Sequence, residues 1–140
     1  MNRVYLDYNA SAPLREEARE AMVHAMALAG NPSSVHAEGR QARAIVETAR
    51  QQVAAALGAQ GADVIFTSGA TEAAGLALTG RGIRCADIEH EAVSSWCQSD
   101  LSCGLDGGVA CQAPGATALQ LANSETGILQ QLPDGLALCD

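Results

Sequence analysis

Short apolar runs alternate with helix-periodic stretches along this chain, and that alternation restricts it to a layered α/β fold. Residues 63–67 (DVIFT) read as a buried strand, Ser68-Gly69-Ala70-Thr71 as a tight turn, and 72–78 as a helix with Glu72 in its first turn. Residues 83–87 give a second strand and 91–98 a short helix. Upstream, Leu14, Ala18, Met22, Met26 and Ala29 recur at helical spacing, and Gly30 ends the run. A longer helix is expected over 37–57, with Ile45, Ala49, Val53 and Leu57 on one stripe and Gly58 closing it. A strand is expected at 3–6, a loop over 98–108, and weak strands at 109–112, 118–122 and 136–139. The predicted fold class is α/β, a mainly parallel sheet flanked by helices.

Composition narrows the function classes. Of 140 residues, 48% are hydrophobic, enough for a collapsed core. The apolar material is shallow, with 28 alanines against one Trp, two Tyr and one Phe. A net charge of -8 argues against nucleic acid or an anionic membrane as the main partner, because either requires a basic face. No apolar run approaches the roughly 20 residues of a membrane span. The start, MNRVYLDYNA, lacks the apolar stretch of a secretory signal, so a cytoplasmic location is expected. All eight basic residues are arginine. Chemistry that needs a lysine Schiff base cannot be completed by this polypeptide alone.

The five cysteines (Cys85, Cys97, Cys103, Cys111, Cys139) are odd in number and form no C-x-x-C pair. Cys97, Cys103 and Cys111 with His90 could hold a metal, but their spacing matches no metal motif. Reduced, mostly buried thiols are the preferred reading.

A helix that starts just after a strand directs free N–H groups and the positive end of its dipole into one small volume. At Thr67–Leu78, Gly69 allows close backbone approach, and the Ser68 and Thr71 hydroxyls add donors. This is either a phosphate or carboxylate seat or an ordinary capped turn. It is neither a Walker loop nor a G-x-G-x-x-G turn.

FTSGATEA (66–73) resembles the phosphate cup of the cysteine desulfurases, pyridoxal 5'-phosphate enzymes of fold type I in the class V aminotransferase family. Other segments are similar to that family in the same order. VYLDYNASAP (4–13) resembles Y-L-D-N-N-A-T-T-P. GNPSSVHAEGRQAR (30–43) resembles G-N-P-S-S-x-H-x-x-G-R-x-A-R. ADIEHEAV (86–93) resembles T-x-x-E-H-x-A-V, and ANSETGILQ (122–130) resembles V-N-N-E-x-G-x-x-Q.

The resemblance implies roles by position. Ala70 and Thr71 would donate to the cofactor phosphate. His90 would stack on the pyridine ring and assist proton transfer. Asp140 would pair with the pyridine nitrogen. Ser124 stands where the family places an asparagine on the ring hydroxyl, and Gly75 where it often has asparagine. His36 and Arg40 could border the site, with a structural role preferred for Arg40. Residues 1–13 would form an N-terminal arm or small-domain segment, and 14–140 part of the cofactor-binding large domain. The implied reaction converts L-cysteine to L-alanine and leaves persulfide sulfur on the enzyme for iron–sulfur or thio-cofactor assembly. A homodimer and a sulfur-acceptor protein are the implied partners. The Schiff-base lysine and the catalytic cysteine have no counterpart here, so this chain alone is expected to be inactive. The alternative is a non-catalytic module of the same descent that binds a phosphate ligand or a protein.

Overall fold

Helix formation at residues 16–26 follows from charge placement as much as from hydrophobicity. A computed structural model of the chain, describing residues 3–140, divides into two compact units, 1–66 and 67–140.

In the first unit, α1 (Glu16–Met26) has Glu16 and Glu17 in its first turn and His24 in its last, which complements the helix dipole. Its N-cap, Arg15, gives no side-chain hydrogen bond. The loop before α2 (Ala37–Ala56) is a tight knot. Asn31 accepts the Ser34 N–H through its carbonyl and the Ser33 N–H through Oδ1, both at 2.9 Å. Arg40 donates to the Val35 carbonyl, the structural role expected of it. A Cβ on Gly39 would lie 2.4 Å from the Ser34 carbonyl oxygen, and one on Gly30 2.4 Å from that of Glu38. Both glycines are therefore required by close backbone approach. His36 caps the helix, with Gly39 N–H 3.4 Å from its Nδ1. At the other end the Gly58 N–H donates to the Ala55 carbonyl and the Ala59 N–H to the Ala54 carbonyl. With Gly58 at φ +64°, this is a Schellman closure.

Two expected strands do not form. Residues 3–6 and 63–67 have no ladder partner, and Ile65 is 74% exposed. A strand is completed by its neighbour's hydrogen bonds, and residues 3–66 contain no described strand to supply them. Arg50 instead stacks over the Phe66 ring at 5.0 Å.

The second unit carries the sheet. α3 (Ala70–Leu78) leads to β1 (Arg84–Ala86), α4 (Glu91–Ser94) and β2 (Gln98–Leu101). After a short 3-10 turn at Pro114–Ala116 come β3 (Ala118–Leu119) and β4 (Leu138–Cys139). β1 pairs parallel with β2, and β3 parallel with β4. A parallel bridge between Arg84 and Thr117 joins the two ladders. The spatial order is β2-β1-β3-β4, with every neighbour parallel, as the α/β reading requires.

β2 falls inside the expected loop 98–108. Its sequence, QSDL, carries no apolar signal because it is largely exposed. Pairing comes from β1, through the Gln98 N–H to the Ile83 carbonyl (2.9 Å), the Arg84–Asp100 ion pair (2.8 Å) and Cys85 Sγ near Ser99 Oγ (3.3 Å). The expected strand at 109–112 is reduced to an antiparallel bridge between Cys103 and Val109. Those at 118–122 and 136–139 shrink to two residues each. Leu78, Ile83, Cys85, Val93 and Ala118 form the core between helices and sheet. A fully buried leucine such as Leu78 contributes about 1.5–3 kcal/mol.

Candidate functional site

In the order β2-β1-β3-β4, the chain leaves β1 for β2 on one side and returns to β3 on the other. The connections that leave the carboxyl ends of β1 and β3 therefore run to opposite sides, and open parallel sheets place ligands at such a switch point. The β1 end runs through Ile88 and Glu89 to His90, and the β3 end begins at Gln120.

Hydrogen bonds clamp these two ends together. The Gln120 N–H donates to Glu89 Oε1 at 3.1 Å. The Ile88 carbonyl accepts from Gln120 Nε2 (3.3 Å) and Asn123 Nδ2 (3.0 Å). β4 delivers Asp140 to the same edge. Its N–H donates to the Leu119 carbonyl (3.3 Å), and its carbonyl accepts the Leu121 N–H (2.9 Å). His90 is the N-cap of α4, where Nδ1 accepts the Ala92 N–H at 3.1 Å. That bond assigns the proton of the neutral imidazole to Nε2. The His90 ring and the Asp140 carboxylate are both exposed.

Asn123 is buried and organises the next turn. Its Oδ1 accepts the Glu125 N–H, the Thr126 N–H and the Thr126 hydroxyl at 2.8–3.1 Å. Ser124 is exposed on this turn. An Asx turn is legible in N-S-E-T-G, and it marks Asn123 rather than Ser124 as the residue that fixes the loop.

α3 begins as the turn chemistry anticipates, with one difference. The first backbone N–H of the helix to find an acceptor is that of Ala73, on the Gly69 carbonyl at 3.1 Å. The amides of Ala70, Thr71 and Glu72 thus lack an intrahelical acceptor. Ser68 is not among the available donors. Its N–H and hydroxyl both go to Glu72 Oε2, at 2.6 and 2.7 Å. Those two bonds hold the Glu72 carboxyl below its usual range, the backbone one first. α3 packs on α4 and on Trp96. A Cβ on Gly75 would lie 3.1 Å from Trp96 Cζ2. The glycine therefore admits the indole. No hydrogen bond among the described residues joins Ala70 or Thr71 to His90 or Asp140.

Burial, then the charge and hydrogen bond of Cys85, then the charge of Glu89, push the Cys97 thiol up to about 11. Cys139 is raised for similar reasons, burial first. Among the described residues no group of three or more His, Cys, Asp or Glu could hold a metal ion. No described helix is long and apolar enough to cross a membrane. A cavity of about 490 Å³ lies elsewhere in the unit, lined by Val109, Ile128 and Gln130. Its buried Gln130 amide is already bonded to the Val109 N–H and the Gly107 carbonyl.

Residues 4–106 match the Aminotransferase class-V family model. The chain is 42% identical over 104 residues to the cysteine desulfurase IscS of Dictyoglomus turgidum, covering 67% of this chain and 26% of that protein. It is 52% identical over 77 residues to the selenocysteine lyase of Bos taurus, covering 54% of this chain and 18% of that one. The crystal structure of a NifS-like protein from Rickettsia africae superposes with a TM-score of 0.81 at 28% identity, over 92% of this chain and 42% of its own. The chain thus spans under a third of the length of these two curated relatives.

Proposed function

Because the chain belongs to the class V aminotransferase family, we propose that it supplies the cofactor-facing part of a pyridoxal 5'-phosphate enzyme that removes sulfur from L-cysteine. The observation that carries this reading is the start of α3. Three consecutive amides without a helix acceptor lie in the segment that resembles the family's phosphate cup.

The residues present fit the group. A dianionic phosphate suits the Ala70, Thr71 and Glu72 amides and the Thr71 hydroxyl at a helix N-terminus. Nothing lies within 4 Å of a Cβ built on Gly69, so the turn is open. His90 presents a flat ring at the carboxyl end of β1, suited to stacking on a pyridine. Its Nε2–H faces away from the cap bond and can hold or pass a proton. Asp140 supplies a carboxylate that accepts from a protonated ring nitrogen, and Ser124 borders the same edge. When bound, pyridoxal phosphate supplies an electron sink for negative charge at the substrate α-carbon. The chain contains no lysine, so its own side chains hold the cofactor without a covalent tether.

The reading extends to the complete protein as a desulfurase that yields L-alanine and enzyme-bound sulfur. Its setting is iron–sulfur or thio-cofactor assembly in the cytoplasm, with a homodimer and a sulfur-acceptor protein as partners. Residues 1–13 serve as the arm, and 14–140 as part of the large domain. The match to a selenocysteine lyase makes L-selenocysteine the second substrate to try.

Ala70→Pro tests the seat. Proline at the first helical position keeps the helix but removes one N–H. Losing a hydrogen bond to a charged group weakens pyridoxal 5'-phosphate binding roughly tenfold or more, read by fluorescence titration with the circular dichroism unchanged. Unaltered affinity refutes the seat. Inorganic phosphate that competes equally well favours the simple phosphate-binding module.

A further inference from the structure

Glu89 is the one buried acidic side chain among the described residues, 7% exposed, and it immediately precedes His90. Oε1 accepts the Gln120 N–H. Oε2 is buried and has no hydrogen-bond partner among the described residues. A carboxylate in that position would leave half its acceptor capacity unmet and away from water, a costly state unless a cation pairs with it. The titratable groups that interact with Glu89 are Asp140 at the end of β4, which acts on it, and Cys139 on β4 and Cys97 between α4 and β2, on which it acts. None of them is a cation. A neutral carboxylic acid removes the buried charge, the larger part of that cost, and leaves Oε2 with an O–H to donate.

We propose that Glu89 is a positioning residue, a buried carboxylic acid that ties the His90 loop to the β3 end through Gln120 and offers its second oxygen as a proton donor within the site. The inference rests on the proposed function and deepens it. With Glu89 neutral, no like charge stands beside Asp140 where it would pair with a ring nitrogen. Burial is the main cause that raises the Glu89 proton affinity. The Gln120 N–H opposes it, and Asp140 reinforces it.

The test is a carbon-13 carboxyl titration of the 140-residue chain by NMR, with Glu89→Gln and Glu89→Ala beside it. One carboxyl should titrate above the ordinary range and vanish in Glu89→Gln. The native state then holds a proton that the unfolded chain has released. Stability is therefore full below the ordinary carboxylate value and is lost as pH rises through that of folded Glu89. The parent's urea midpoint should fall across that window, while that of Glu89→Gln should stay flat. The His90 ring resonance should move in Glu89→Ala and return in Glu89→Gln, with His24 and His36 unmoved. Titration of Glu89 in the ordinary range overturns the proposal. So does a Glu89→Gln chain as destabilised at pH 6 as Glu89→Ala. Should Glu89→Ala fail to fold, the titration and Glu89→Gln decide. A high Glu89 titration in a chain that does not bind pyridoxal 5'-phosphate supports the buried acid and overturns only the functional reading.

Discussion

Single residues divide here into those that meet a ligand and those that hold the backbone in place. Cys97 belongs with the second kind, since burial first and then its neighbour Cys85 raise its proton affinity. A thiol titrating near 11 is about 0.1% thiolate at pH 8, against roughly a quarter for an unperturbed cysteine. Iodoacetamide should therefore label Cys97 about a hundredfold more slowly than a free cysteine at pH 8. The rate should climb about tenfold per pH unit toward pH 11. Fast labelling at pH 8 would show an activated thiol at Cys97 and overturn its assignment to packing. The helix start at Ala70 and Thr71 is legible locally in the turn residues before it, whereas His90 is singled out only by the resemblance of ADIEHEAV to a family segment. Glu89 and Asn123 were not singled out. The role of Glu89 comes from burial and from Gln120, 31 residues away, and Asn123 adds to its local turn a bond to Ile88, 35 residues away.

Elements follow the same division. α2 was readable almost to the residue, because its apolar period, its closing Gly58 and the loop before it are all local signals. β2 was hidden, because a polar strand exists only through the neighbour it pairs with. The segment 63–67 erred the other way, since an apolar run is strand-like in composition but becomes a strand only when paired. The knot before α2 gives a sharp test of local logic. In most exposed helix positions Gly→Ala stabilises by about 1 kcal/mol. At Gly39 the added carbon meets the backbone oxygens of Ser34 at 2.4 Å and of Asn31 at 2.8 Å, and backbone cannot swing aside as a side chain does. Overpacking should outweigh the propensity gain, so Gly39→Ala should be net destabilising by about 1–3 kcal/mol. The urea midpoint reads the loss, and faster proteolysis within 31–36 reads its place. A stabilised Gly39→Ala would mean that the loop is free to move and that the glycine is not required by packing.

At the scale of the whole chain, the two units differ in how much they bury. Among residues 3–66 only Gly39 is buried, and Leu57 on the α2 stripe is 76% exposed. Residues 67–140 enclose Leu78, Cys85, Val93 and Leu119 almost completely. Protection of backbone amides tracks such burial, because local opening is costly only where it exposes apolar surface. Hydrogen exchange should therefore be slow at β1, β3 and α3, and much faster along α1 and α2. Unfolding followed by exchange should resolve two steps rather than one cooperative transition. An apolar stripe this exposed is also a sticky one. The α1 and α2 amides should gain protection as protein concentration rises, with those of β1 and β3 unchanged. Equal protection in both units at low concentration would show that α1 and α2 are stabilised by something other than buried apolar surface.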